Sequence, residues 1–453
     1  MATEDPHDES QDPLEGLRKL FHDLGLPPDA DLNDNEVRAD LFRSMMGRLM
    51  GPSTTSDEQV VWETARQTAR HMVAALGPDP SGSSRAARRV SDAVHLAELW
   101  LSEATTLPPT PLTPTVWSRA EWIESTLPQW RTMIEPVLAT LATSVTEATG
   151  SRFQSAELDE LAGLQSMLSP LMSRAISAMF GSHVGQSLGR AATATMTGTD
   201  LGLPILQQPL VAVLPTNLSA IQQQAELDEE GLLMFCTLRE AARQRLFTEI
   251  SWIAPQIIAL VQHYAREMRV DPQALSSALE NAMPDQLSAE SMAAFQTDFS
   301  SIIFSPEQSE EQKDILQRLS TLLALVEGWV DDTTGTIARR WLPNWAAIAE
   351  SLRRERATNA VKVTSAIPLI GLSASPKEVR EATGFWEAVR TARGVEGRDD
   401  IWRHPEAMPQ QSDLADPQGF LDRPAQADPW DDELQRFLDG DDSEDDSTAP
   451  TVG

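Results

Sequence analysis

Apolar residues recur at helical spacing along most of this chain, in runs broken by Pro, Gly and Ser clusters. Alternating strand-like segments are scarce, and Leu210–Leu214 is the best of them. A chain patterned this way must bury helix faces against one another. The reading is therefore a mainly α fold, a multi-helix core with at most a small β element. Helices are expected over Asp57–Leu76, Ala86–Glu103, Ser118 to about Ala148 with a break near Pro128, Glu157–Ala192 and Glu229–Met268. Further ones are expected over Pro306–Val330, Trp345–Arg356 and Pro376–Arg393, and two short ones over Leu14–Leu24 and Glu36–Leu49. Four prolines between Pro108 and Pro114 predict an extended linker.

Charge divides the 453 residues further. The net charge is −32, from 68 acidic and 36 basic residues. Much of the excess sits at the ends, with six acids and no base from Glu4 to Glu15, and ten acids against Arg436 from Asp428 to Asp446. Such runs bury too little apolar surface to offset their ordering entropy. The expected organisation is an acidic N-terminal segment over 1–52, a helical body over 56–423 and an acidic, mostly disordered tail over 424–453. Within the tail, Trp430, Leu434, Phe437 and Leu438 fall on one helical face, a pattern suited to docking on a partner or on the chain itself.

The same charge argues against nucleic acids and anionic membranes as partners, because both repel it. No segment approaches the run of about 18 apolar residues that spans a bilayer. The acidic N-terminus is unlike a secretory signal, so a cytoplasmic location is expected. A single cysteine, Cys236, excludes an internal disulfide and any multi-cysteine metal site. No two of the seven histidines are four residues apart, which excludes a paired-His helical metal site.

Several features have plain structural readings. Gly181, Gly185 and Gly189 line one helix face and permit close helix approach; a phosphate loop would need a strand before them and a Lys-Ser/Thr pair. His183 beside them reads as a hydrogen-bonded core residue. Twelve tryptophans against one tyrosine read as core anchors. Cys236, in an apolar run, reads as a small core residue.

The most informative stretch is Thr237-Leu238-Arg239-Glu240-Ala241-Ala242-Arg243. Phe235, Arg239, Ala242 and Leu246 share a stripe, which places Arg239 among apolar neighbours, and Glu240 can pair with Arg243 one turn on. This string resembles the zincin helix, in which His-Glu-x-x-His supplies two zinc ligands and a general base. More widely, the chain is similar to actinobacterial zincin-like hydrolases, also labelled zinc-dependent metalloproteases, over about Asp57–Phe420. The shared strings are Trp117-Ser118-Arg119-Ala120-Glu121-Trp122, Thr199-Asp200-Leu201-Gly202-Leu203-Pro204, Leu238-Arg239-Glu240-Ala241-Ala242, Val326-Glu327-Gly328-Trp329-Val330-Asp331 and Arg398-Asp399-Asp400-Ile401-Trp402-Arg403-His404-Pro405.

The resemblance implies a helical zincin-like core and metal-assisted hydrolysis of an amide or peptide. It sets Glu240 at the general-base position and Glu327 at the candidate third-ligand position. Both zinc-ligand positions are arginine, Arg239 and Arg243. A guanidinium has no free lone pair and stays protonated, so it cannot ligate zinc. Asp331, His183 and His263 are further residues that a metal could recruit. Two outcomes follow for the arginines: a closed ion-pair network with Glu240 and Glu327, or a partly open site for a carboxylate. The expectation is a degenerate active site, no cofactor, and a role in binding or scaffolding a protein or peptide. The alternative is an active zinc-dependent peptidase or amidohydrolase with non-standard ligands.

Overall fold

The computed structural model describes residues 56–153, 159–268, 309–364 and 375–423. The expected helices Leu14–Leu24 and Glu36–Leu49, and the Trp430–Leu438 segment, lie outside these residues. Within them the protein is mainly helical with one small sheet. Helix α1 (Asp57–Ala75) is followed by α2 (Ser84–Leu101), strand β1 (Thr113–Val116), α3 (Arg119–Phe153) and α4 (Asp159–Ala194). Strand β2 (Leu210–Val213), α5 (Pro215–Ala225), α6 (Glu229–Glu249) and α7 (Ile253–Arg266) come next. The last helices are α8 (Glu310–Trp341), α9 (Trp345–Thr364), α10 (Pro376–Asp400) and two short ones, α11 (Gln411–Ala415) and α12 (Pro417–Leu421).

Local chemistry sets most of these boundaries. Asp228 caps α6 by accepting from the Gly231 amide at 2.6 Å, and Ser309–Gln312 and Ser375–Glu378 form capping boxes on α8 and α10. The expected single helix Glu229–Met268 is two helices, parted at Ile250–Trp252. Pro255 explains the division: in an unbroken helix its ring would meet the Ser251 carbonyl, whereas in the first turn of α7 its missing N–H costs little. The break expected near Pro128 does not occur. Helix α3 runs through Pro128 and Pro136, held by a face on which Trp122, Ile123, Trp130, Met133 and Ile134 are buried.

The proline-rich linker contains β1, which pairs in parallel with β2 in the register Thr113↔Leu210 to Val116↔Val213. Extended backbone is what proline enforces and what a strand requires. Strand β2 is wholly buried, and β1 lies at the surface.

Helices α6 and α8 pack together at the centre. Every residue of α6 from Gly231 to Leu246 is buried, including four charged ones, as is α8 from Thr321 to Val330. Around this pair, α2 covers α6, while α7 and α10 cover α8. The α8–α10 contact is close because Gly328 has no side chain; a Cβ there would stand 2.7 Å from the Ala382 backbone. The Gly181–Gly189 face of α4 likewise receives α1, as its spacing indicates.

A Cβ at Gly185 would lie 2.4 Å from the Ala65 carbonyl oxygen, and at Gly384 it would meet nothing. Gly185→Val is expected to destabilise the protein by about 1–3 kcal/mol in chemical denaturation. Gly384→Ala, on the same measurement, is expected to be neutral or to stabilise by up to ~1 kcal/mol.

Candidate functional site

Helix periodicity places Arg239, Glu240, Arg243 and Gln244 on one side of α6, and Glu327 and Asp331, four apart on α8, turn toward them. The third wall is the loop between α4 and β2. It is anchored by the Gly198 amide donating to the Ala212 carbonyl at 3.1 Å and by Trp122 Nε1 donating to the Gly198 carbonyl at 3.0 Å. Gly202 adopts φ +76°, a conformation that favours glycine, and a Cβ there would crowd Glu327 Oε1 at 3.3 Å. The Thr-Asp-Leu-Gly-Leu-Pro string thus forms a lid close against the two glutamates.

Glu327 is held by both helical arginines. Arg239 Nη2 donates to its Oε2 at 2.8 Å, and Arg243 Nε donates to its Oε1 at 2.7 Å. Arg239 also donates to Asp331 through Nη1. Arg243 Nη1 reaches Glu240 Oε2 at 2.9 Å, with both side chains fully buried. Glu240 is surrounded by donors. Its Oε1 accepts from the Thr199 amide (3.0 Å), the Thr199 hydroxyl (2.8 Å) and Gln244 (3.2 Å). Its Oε2 accepts from the Thr197 hydroxyl at 2.8 Å as well as from Arg243.

Burial and charge act in opposition here. Burial works to raise the Glu327 carboxyl, but Arg243, Arg239 and Arg356 outweigh it and hold the group at about 2. For Glu240 burial prevails, and its carboxyl is pushed above the usual range despite Arg243 and the two threonines. Burial disfavours the Arg243 guanidinium, yet Glu327 and Glu240 overcome this and raise it.

The structure brings Arg239, Glu240, Arg243, Glu327 and Asp331 into one cluster. The donor set does not suit zinc. Its two guanidiniums offer no lone pairs, and its carboxylates are already engaged with them. The two histidines lie elsewhere. His183 on α4 is held near 4 by burial and by Arg190. His263 on α7 groups with Glu267 and Glu311, the last in the first turn of α8. Sixteen residues separate Glu311 from Glu327, roughly 24 Å along the helix. Cys236 is buried and its thiol is pushed up to about 12, chiefly by burial, so it carries no thiolate at neutral pH.

Sequence reasoning missed Arg356, Thr197 and Gln244, and quoted Thr199 without giving it a role. Arg356 on α9 stands 3.6 Å from Glu327 Oε2. It also missed a second buried network behind the first. Arg398 pairs with Asp332 and Asp399 at 2.8 Å, and Asp399 accepts from Trp329 Nε1, the Thr105 hydroxyl and the Thr106 amide. The recurring strings around Trp329 and Ile401 were the signal for it, but they carry no spacing that pairs one with the other.

Removing the shared carboxylate leaves buried guanidiniums uncompensated. Glu327→Ala is expected to cost about 3–5 kcal/mol in denaturant unfolding, and Glu327→Gln less. Because the folded pKa is depressed, the stabilisation from Glu327 is fully present above about 4.5 and is lost as pH falls through about 2. Stability measured against pH is therefore expected to fall less steeply over that window in Glu327→Gln than in the wild type.

Residues 60–421 match the family model described as zincin-like metallopeptidase. Among solved structures, the fold is similar to one described as a "putative hydrolase with a novel fold" from Chloroflexus aurantiacus. The TM-score is 0.51 at 18% identity, covering 80% of this chain and 97% of that one, which shows a shared fold. No curated protein matches the chain. With the match running from α1 to α12 and taking in every residue of the arginine–glutamate cluster, the chain belongs to the zincin-like metallopeptidase family.

Proposed function

We propose that this protein is a catalytically degenerate member of its family, which acts by binding or scaffolding a protein or peptide in the cytoplasm. The observation that carries the reading is the saturation of Glu240. A general base needs a lone pair within reach of the water it activates. Five donors already converge on the two oxygens of Glu240, and Arg243, at a position that is histidine in active zincins, supplies one of them. Arg239 and Arg243 stand in for the dication, and Glu327 pairs with them instead of with a metal. The net charge of −32 supports a partner other than nucleic acid or an anionic membrane. Among the described residues no helix is long and apolar enough to cross a membrane.

The test is elemental mass spectrometry of the untagged protein after dialysis, alongside a peptidase assay. The expected result is a folded protein without zinc at the cluster and without turnover. Zinc retained in His263→Ala but lost in Glu327→Ala, with peptidase activity abolished by Glu240→Gln, would establish the active-enzyme alternative. The double substitution Arg239→His with Arg243→His is expected to gain stoichiometric zinc, provided circular dichroism shows it folded.

A further inference from the structure

A pocket of about 100 Å³ lies where α6, α8, α9 and α10 meet. Its lining runs from exposed Arg339, Arg353 and Glu387 to buried Phe235 and Arg239, so it leads from solvent to the arginine cluster. The volume is that of about three water molecules, room for a carboxylate group and little more.

The charges on this lining are unevenly satisfied. Asp331 is taken by Arg239, and Asp332 by Arg390 and Arg398. Arg239 has both terminal nitrogens on Glu327 and Asp331, and only its Nε is without a partner among the described residues. Arg353 reaches Glu350 at 3.4 Å, and Arg339 lies over the Trp345 ring. Arg356 is the exception. Its contact with Glu327 Oε2 is 3.6 Å, beyond hydrogen-bond range, and that oxygen already accepts from Arg239. Its Nε is shielded from solvent and has no hydrogen-bond partner among the described residues. Burial, then Arg239, lowers the Arg356 pKa, the sign of a cation short of negative charge.

We propose that this pocket binds the carboxylate of a peptide C-terminus, with Arg356 as its principal ligand and Arg353 and Arg339 at the mouth. The proposal rests on the binding role argued above and names the group that is bound. A guanidinium fork pairs with a carboxylate through two parallel hydrogen bonds, and Arg356 has that capacity unused. The small volume admits a terminal group and leaves the rest of the peptide outside.

The experiment is calorimetric titration of the full-length protein with trialanine, its C-terminal amide, acetate and inorganic phosphate. Trialanine is expected to bind, acetate to compete with it, and the amide to fail. Arg356→Gln is expected to weaken trialanine by about tenfold or more. Arg353→Gln, at an exposed position that does not threaten folding, is expected to weaken it severalfold. Equal binding of acid and amide, affinity unchanged in both variants, no binding by the folded wild type, or phosphate bound in preference to carboxylate would each overturn the proposal. Zinc content and turnover of the same preparation are read separately. Zinc with turnover would remove the degenerate-enzyme reading while leaving carboxylate recognition at Arg356 to stand or fall on the titrations.

Discussion

The clamp of Arg239 and Arg243 on Glu327 is the contact around which the core is arranged. Helices α6 and α8 are both buried along their central turns, and each carries charge into that interior. Charge taken out of water is tolerated only with partners at good geometry. The two arginines, one turn apart, meet the two oxygens of one carboxylate at 2.8 and 2.7 Å. That geometry fixes how α6 lies on α8. Such a pair adds little net stability over an apolar contact of the same shape, yet loss of either partner is costly. It acts more to specify the packing than to strengthen it.

Two further devices complete the arrangement. The loop from Thr197 to Gly202 closes over the glutamates and supplies threonine donors to Glu240, while its glycines let backbone come within contact of both carboxylates. Behind α8, Arg398 and Asp399 tie the end of α10 to Asp332, Trp329 and the segment after α2. Glu327, Asp331 and Asp332 thus send one helix's charge toward two separate sets of arginines. The middle of α8, from Glu327 to Asp332, is pinned from both sides.

These arrangements bear directly on chemistry. A hydrolytic zincin needs a metal with an open position and a carboxylate free to take a proton. In the function proposed above, cations that cannot act as Lewis acids take the place of the metal, and the Glu240 carboxylate beside them accepts from five donors. Family membership supplies the scaffold, and the site residues decide what it does. The under-satisfied cation lies one helix away, at Arg356, where a pocket opens to solvent.

What the residue order determined by itself was mostly local. Apolar period and the breaks at Pro, Gly and Ser clusters placed most of the long helices, because each signal acts within about one turn, while α5, α11 and α12 were not expected. Gly181, Gly185 and Gly189 announced a close helix contact, and Leu210–Leu214 announced a strand, which the structure forms over Leu210–Val213. Its partner went unseen, since Thr113–Val116 is polar and proline-bearing and becomes a strand only against β2. That Arg239 and Arg243 cannot ligate zinc follows from residue chemistry, while their assignment to ligand positions rests on the family resemblance. Glu240 and Glu327 were named as their partners in one of two outcomes, through the family resemblance, and the structure pairs them so. The other groups were not legible, because Thr197 and Thr199 arrive on a loop and Arg356 comes from a helix that only packing brings near. Periodicity reports which face a residue occupies. Which faces meet, and at what register, is set by how whole helices pack, and that decided which charges are paired and that Arg356 stands beyond hydrogen-bond range of Glu327.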